Sequence, residues 1–182
     1  MKTSRPLTVL AALLLAMAAT AAQPADDVLA GIRTAYSNAQ QAIKANTRDK
    51  RSCNDMVTTM HYQVPGSGRA TEAVQFFYRL DLFGSSSEYA DYKLFFVTRQ
   101  QSLAGRKSYE EYLYDDGGNL IFVFEKGYDR NGKRVERRYY YRDGELHSQL
   151  GDATEGYEHL TFKILAQDYL QSFNNLIRNA KE

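Results

Sequence analysis

Hydrophobic positions change period twice along this chain. Val28, Leu29, Ile32, Ala35, Tyr36, Ala39 and Ile43 recur at spacings of three and four, which marks one face of an amphipathic helix. Pro24, Asp26 and Asp27 suit its first turn and the positive end of its dipole. The helix is expected to end near Ala45–Asn46, and the polar stretch 46–54 reads as a loop. From Asp55 the period becomes two. Strands are predicted over Asp55–Val64, Glu72–Phe83, Tyr89–Ser102, Tyr109–Tyr114, Leu120–Glu125, Arg134–Arg142 and Leu146–Leu150. Turns fall at Pro65–Gly68, Gly84–Ser87, Ala104–Arg106, Asp115–Asn119, Asp129–Gly132 and Arg142–Glu145.

Alternation assigns faces. Met56, Thr58, Met60, Tyr62 and Val64 share one side of the first strand. Tyr92, Leu94, Phe96 and Thr98 share one side of the third, with Phe95 and Val97 opposite. Leu120, Phe122 and Phe124 oppose Ile121 and Val123, so this strand is apolar on both faces and reads as central and covered on both sides. The helical period then returns. Leu160, Ile164, Leu165, Tyr169, Leu170, Phe173, Leu176 and Ile177 form a stripe, and Asp152 with Glu155 offers a capping box.

A run of strands between two helices predicts the α+β class: an N-terminal helix, a curved antiparallel meander of six to seven strands, and a C-terminal helix packed on one face. The general expectation for this class places the helices on one side of the sheet. The order is similar to cystatin-like, NTF2-like and half-barrel carrier folds. That similarity is one of topology, and such folds host enzymes, carriers and adaptors alike. Tyr114-Asp115-Asp116-Gly117, Tyr128-Asp129-Arg130-Asn131-Gly132 and Tyr141-Arg142-Asp143-Gly144 recur at near-equal spacing and resemble YD-type and MORN-like β-repeats, in which each unit is a hairpin.

Lys2 and Arg5 precede an uncharged apolar run from Leu7 to Ala19, followed by Ala19-Thr20-Ala21, so residues 1–22 read as a secretory signal peptide and 23–182 as a single globular domain. Export to a periplasm or the extracellular space, in soluble form and without a transmembrane span in the mature chain, is the expected address. No cysteine stands at the cleavage point to carry a lipid, and a lone cysteine, Cys53, forms no internal disulfide. Of 23 basic and 22 acidic residues, Lys2 and Arg5 leave with the leader, giving 21 against 22 and a net charge of −1. A near-neutral domain carries no global attraction for nucleic acid or membrane.

Motifs for phosphate cradles, dinucleotides, nucleophile elbows and paired cysteines are absent, and no cofactor is implied. His61, His147 and His159 lack the spacing of a metal site. Asp115 and Asp116 sit where a turn wants aspartate, and Glu110 and Glu111 read as a strand edge or outer face. One segment departs from neutrality. Lys126, Arg130, Lys133, Arg134, Arg137, Arg138 and Arg142 face only Asp129 and Glu136 between 126 and 142, a local +5. Parity puts Arg134, Arg138 and Arg142 with Tyr140, and Arg137 with Val135, Tyr139 and Tyr141. Arginine beside tyrosine suits stacking and bidentate capture of anions. The expectation is therefore an exported, non-enzymatic binding domain with Arg134, Arg137, Arg138, Tyr139, Tyr140, Tyr141 and Arg142 as the candidate surface. Its partner would be an acidic glycan, a lipid headgroup or a protein. A charged strand that resists edge-to-edge association, with tyrosines filling the core, explains the same residues. The alternatives are a carrier for an apolar ligand, or an enzyme with an aromatic-lined cavity using acids such as Glu111 or Asp91.

Overall fold

Strand and helix propensities resolve into nine elements in the computed structural model, which describes residues 24–49, 53–82, 90–129, 131–154 and 156–181. The apolar run near the start of the sequence, the turn expected at Gly84–Ser87, Arg130 and Glu155 lie outside the described residues. Helix α1 spans Pro24–Asp49. Strands β1 (Asn54–Val64), β2 (Gly68–Leu82), β3 (Ala90–Leu103), β4 (Arg106–Tyr114), β5 (Leu120–Tyr128), β6 (Arg134–Arg142) and β7 (Glu145–Gly151) follow, and α2 spans Glu158–Lys181. The seven strands pair in chain order as one antiparallel sheet, β1-β2-β3-β4-β5-β6-β7. The α+β class and the meander are thus as the pattern predicts. Among the described residues no helix is long and apolar enough to cross a membrane.

The two-sided strand decides where the helices go. They take opposite faces rather than sharing one, because β5 is apolar on both sides. Against α1 lies a row running across five strands: Phe77, Phe96, Leu113, Phe122 and Tyr140. Ile32, Ala39 and Tyr36 of α1 pack on it, with the Tyr36 ring 5.0 Å from that of Phe122. Against α2 lies the row Phe76, Val97, Tyr112, Val123 and Tyr139. The buried stripe of α2 is Phe162, Ala166, Tyr169 and Phe173, while Leu160, Ile164 and Leu176 are exposed. The helix is therefore rotated from the expected stripe, because aromatic rings at 162, 169 and 173 fill more of the sheet surface than leucines do.

Three irregularities change faces that alternation alone assigns. Register shifts occur at Phe77/Tyr78, Leu113/Tyr114 and Tyr140/Tyr141. An extra residue on one strand reverses the parity beyond it. Leu94 consequently joins Val97 on the α2 side, and Phe95 joins Phe96 on the α1 side. Leu120 likewise packs with Val123 and Ile121 with Phe122. The end of the sheet also differs from expectation. Asp152 caps no helix; its backbone N–H donates to Glu136 O (3.1 Å) and its carboxylate accepts from Glu136 N–H (2.9 Å). Gly151, at φ +102°, permits this, since a Cβ there would meet Glu136 O at 2.2 Å.

Below the α2 contact, that face carries a row that begins at Val74 and continues with four charges, Arg99, Glu110, Glu125 and Arg137. Glu110 and Glu111 are thus buried on an interior strand, not an edge. Arg99 bridges Glu72 and Glu110, each at 2.8 Å, and Tyr112 O–H donates to Glu110. Arg137 donates to Glu125 (3.3 Å) and to the Ala153 carbonyl (2.9 Å). Burial opposes the charge on Arg99, but hydrogen bonding to Glu72 and the field of Glu110 outweigh it and raise its pKa. Burial pushes the Glu125 carboxyl up, against the pull of Arg137.

Two outcomes follow from this row. Arg99→Met should lower stability by about 3–5 kcal/mol in chemical denaturation, because two buried carboxylates lose their shared counter-charge. Glu125 binds its proton more tightly folded than unfolded, so its contribution to stability falls as pH rises through its raised pKa. The unfolding free energy of the parent relative to Glu125→Gln should therefore increase as pH is lowered from neutral into the carboxylate range; a flat difference would contradict this.

Candidate functional site

Helix α1 covers only part of its face. The next row of that face is Gln75, Thr98, Glu111, Phe124 and Arg138, and the one after it Ala73, Gln100, Tyr109, Lys126 and Glu136. Beyond lie Thr71, Ser102 and Lys107, with Tyr128 opposite Arg134. These last rows line an open cleft of about 800 Å³ that crosses five strands and reaches Asp152.

Its charge is uneven. Lys126 approaches Glu136 at 4.0 Å. No carboxylate pairs with Lys107 or Arg134 among the described residues. The Arg106 guanidinium lies 5.4 Å from the centre of the Tyr128 ring, adding a cation at the rim.

Glu111 is buried in the row between the cleft and the α1 contact. Its Oε2 accepts from Tyr36 O–H at 2.6 Å, and its Oε1 from Tyr109 O–H at 2.8 Å and Gln40 Nε2–H at 3.4 Å. Burial and the neighbouring Glu111 carboxylate both raise the pKa of Tyr36 and Tyr109, so the two phenols stay protonated donors. Glu111 therefore ties α1 to the sheet through groups of the protein itself. Asp91, the other acid considered for chemistry, is exposed beside Lys93, at 3.9 Å.

The Arg/Tyr strand divides. Tyr139 (0% exposed), Tyr140 (4%) and Tyr141 (1%) are core side chains, and Arg137 (4%) is held by Glu125. None of these four presents a surface. Arg134 and Arg142 are exposed; Arg138 is half-buried over the Phe124 ring (5.0 Å) and paired with Glu136 (2.7 Å). Nor is β6 an edge, since β5 and β7 flank it. Of the candidate residues only Arg134 lines the large cleft. Arg138 lines a smaller recess of about 310 Å³ beside α1, with Ile32, Arg33, Tyr36, Phe122, Phe124 and Tyr140.

Lys107, Lys126, Tyr109 and Tyr128 were not evident as a group. One signal was available: in a meander, alternate turns share an end of the sheet. The turns at 65–67, 104–105 and 129–133 must therefore lie together, bringing Lys107 toward Arg134. Cys53 is buried, its thiol pKa raised by burial, as for an inert side chain. His61 shares a hydrogen bond with Thr71 (3.1 Å). Among the described residues no group of three or more His, Cys, Asp or Glu could hold a metal ion.

No protein-family model, curated protein or solved structure matches the chain.

Tyr36→Phe should cost about 1.5–3 kcal/mol in urea denaturation, the loss of a hydrogen bond to a charged acceptor; an unchanged midpoint would show that Glu111 does not fasten the helix.

Proposed function

We propose that this is an exported, non-enzymatic binding domain, and that the cleft on the α1 face takes an acidic saccharide. The observation that carries the reading is the pair Lys107 and Arg134, two cations without carboxylate partners among the described residues, in a cleft that also holds Tyr109 and Tyr128. Carboxylate or sulfate groups suit the cations, and sugar rings suit tyrosine faces flanked by amides and hydroxyls such as Gln100, Thr71 and Ser102. The openness of a cleft spanning five strands suits a chain passing through better than a small molecule that must be enclosed. An apolar carrier is the second reading, favoured by the aromatic recess under Arg33 and Arg138.

The test is a titration of the full chain with a polyuronate, with its neutral counterpart, and with anionic lipid vesicles. Binding to the polyuronate alone is expected. Lys107→Glu/Arg134→Glu should weaken it about tenfold or more, since two ion contacts are lost and repulsion replaces them. Arg142→Glu, on the same strand but outside the cleft, should leave it unchanged. Equal binding by the double variant, or none by the parent, overturns the reading. Binding to vesicles alone reassigns the cleft to a lipid headgroup.

A further inference from the structure

The two edges of the sheet are built differently. β7 is short, seven residues, and its pairing with β6 is broken by a register shift. It carries Glu145, bridged to Lys163 at 3.3 Å, and ends at Gly151, pressed on the β6 backbone. These are the features that blunt an edge. β1 has none of them. It runs eleven residues, pairs with β2 at every position from Asn54 to Val64 without a shift, and contains no proline, lysine or arginine. Its only formal charge, Asp55, is engaged by Gln75 at 2.9 Å. Val57 (56% exposed), Met60 (47%) and Tyr62 (37%) lie bare along it, on both faces of the sheet.

We propose that the protein forms a two-fold dimer by antiparallel pairing of β1 with β1 of a second copy, centred on Thr59. Thr59 is the centre of the strand, so this is the register that pairs all eleven residues; a shift in one direction would run into Pro65. It places Thr59 opposite Thr59, Val57 opposite His61 and Asp55 opposite Gln63 on one face. On the other face Met60 meets Thr58 and Tyr62 meets Met56. No like charges oppose, and each exposed apolar side chain gains a neighbour across the new pair, the unit that stabilises sheets. A closed two-fold pairing uses the unguarded edge of both copies and leaves the blunted β7 edges outermost, so assembly stops at two. The inference does not depend on the cleft, which lies over β2 to β6.

Sedimentation velocity of the full chain across a wide concentration range tests it. A monomer–dimer equilibrium is expected. Thr59→Lys, at an exposed position, sets two ammonium groups opposite each other on the axis. It should weaken the dimer about tenfold or more while leaving the unfolding midpoint of the dilute monomer unchanged. In a Cys53→Ala background, Thr59→Cys should cross-link to a covalent dimer under mild oxidation, and Val64→Cys should not. A parent that stays monomeric, a dimer indifferent to Thr59→Lys, or open-ended polymers from β1–β7 pairing would each overturn the proposal.

Discussion

Strands in this sheet are longer than a helix is wide. β1 to β6 run nine to fifteen residues. Even nine residues span about 30 Å, whereas one helix laid across them covers about 10 Å. Each face therefore has a covered part and a part the helix does not reach. The rest of the structure follows from how the two faces handle the uncovered part.

On the α2 side the remainder is closed by charge. Arg99 and Arg137 are set among Glu72, Glu110 and Glu125, with Tyr112 and Tyr139 donating from the neighbouring apolar row. Such pairs repay their desolvation only with good geometry and further hydrogen bonds; Arg99 and Arg137 each donate two from their terminal nitrogens, while the buried Nε–H of each has no protein acceptor among the described residues. On the α1 side the remainder is left open. The transition is made by Glu111, which accepts hydrogen bonds from Tyr36 of the helix and from Tyr109, itself a lining residue of the cleft. One face has thus become a sealed polar layer and the other an accessible, basic trough.

The tyrosine content, 14 residues, also takes its meaning from this arrangement. A buried ring beside a charged row needs a partner for its hydroxyl. Tyr112 and Tyr139 find carboxylates, and Tyr114 and Tyr141 find the carbonyls of Ala166 and His159 on α2. Tyrosine here fills the core and also fastens it, so the three rings at 139–141 serve cohesion rather than recognition.

Element order, the turns at 65–68, 104–106, 115–119 and 142–145 and the α1 stripe were legible in the chain, because period and turn chemistry are local properties. So was the most informative single segment, Leu120–Phe124, whose apolar residues at consecutive positions require cover on both faces. Three kinds of fact were decided only in three dimensions. Register shifts at Phe77/Tyr78 and Leu113/Tyr114 moved Leu94, Phe95, Leu120 and Ile121 to faces that strict alternation denies them, and nothing local marks such a shift. Arg134 and Arg137 belong to one basic run, yet one is exposed and the other sealed, because Glu125 and the chain after β7 close one face at that level and α1 does not reach the other. Lys107 and Arg134 stand 27 positions apart in the chain and share a cleft. Cross-strand register brings them together, and register is set by the packing of the whole sheet rather than by either segment alone.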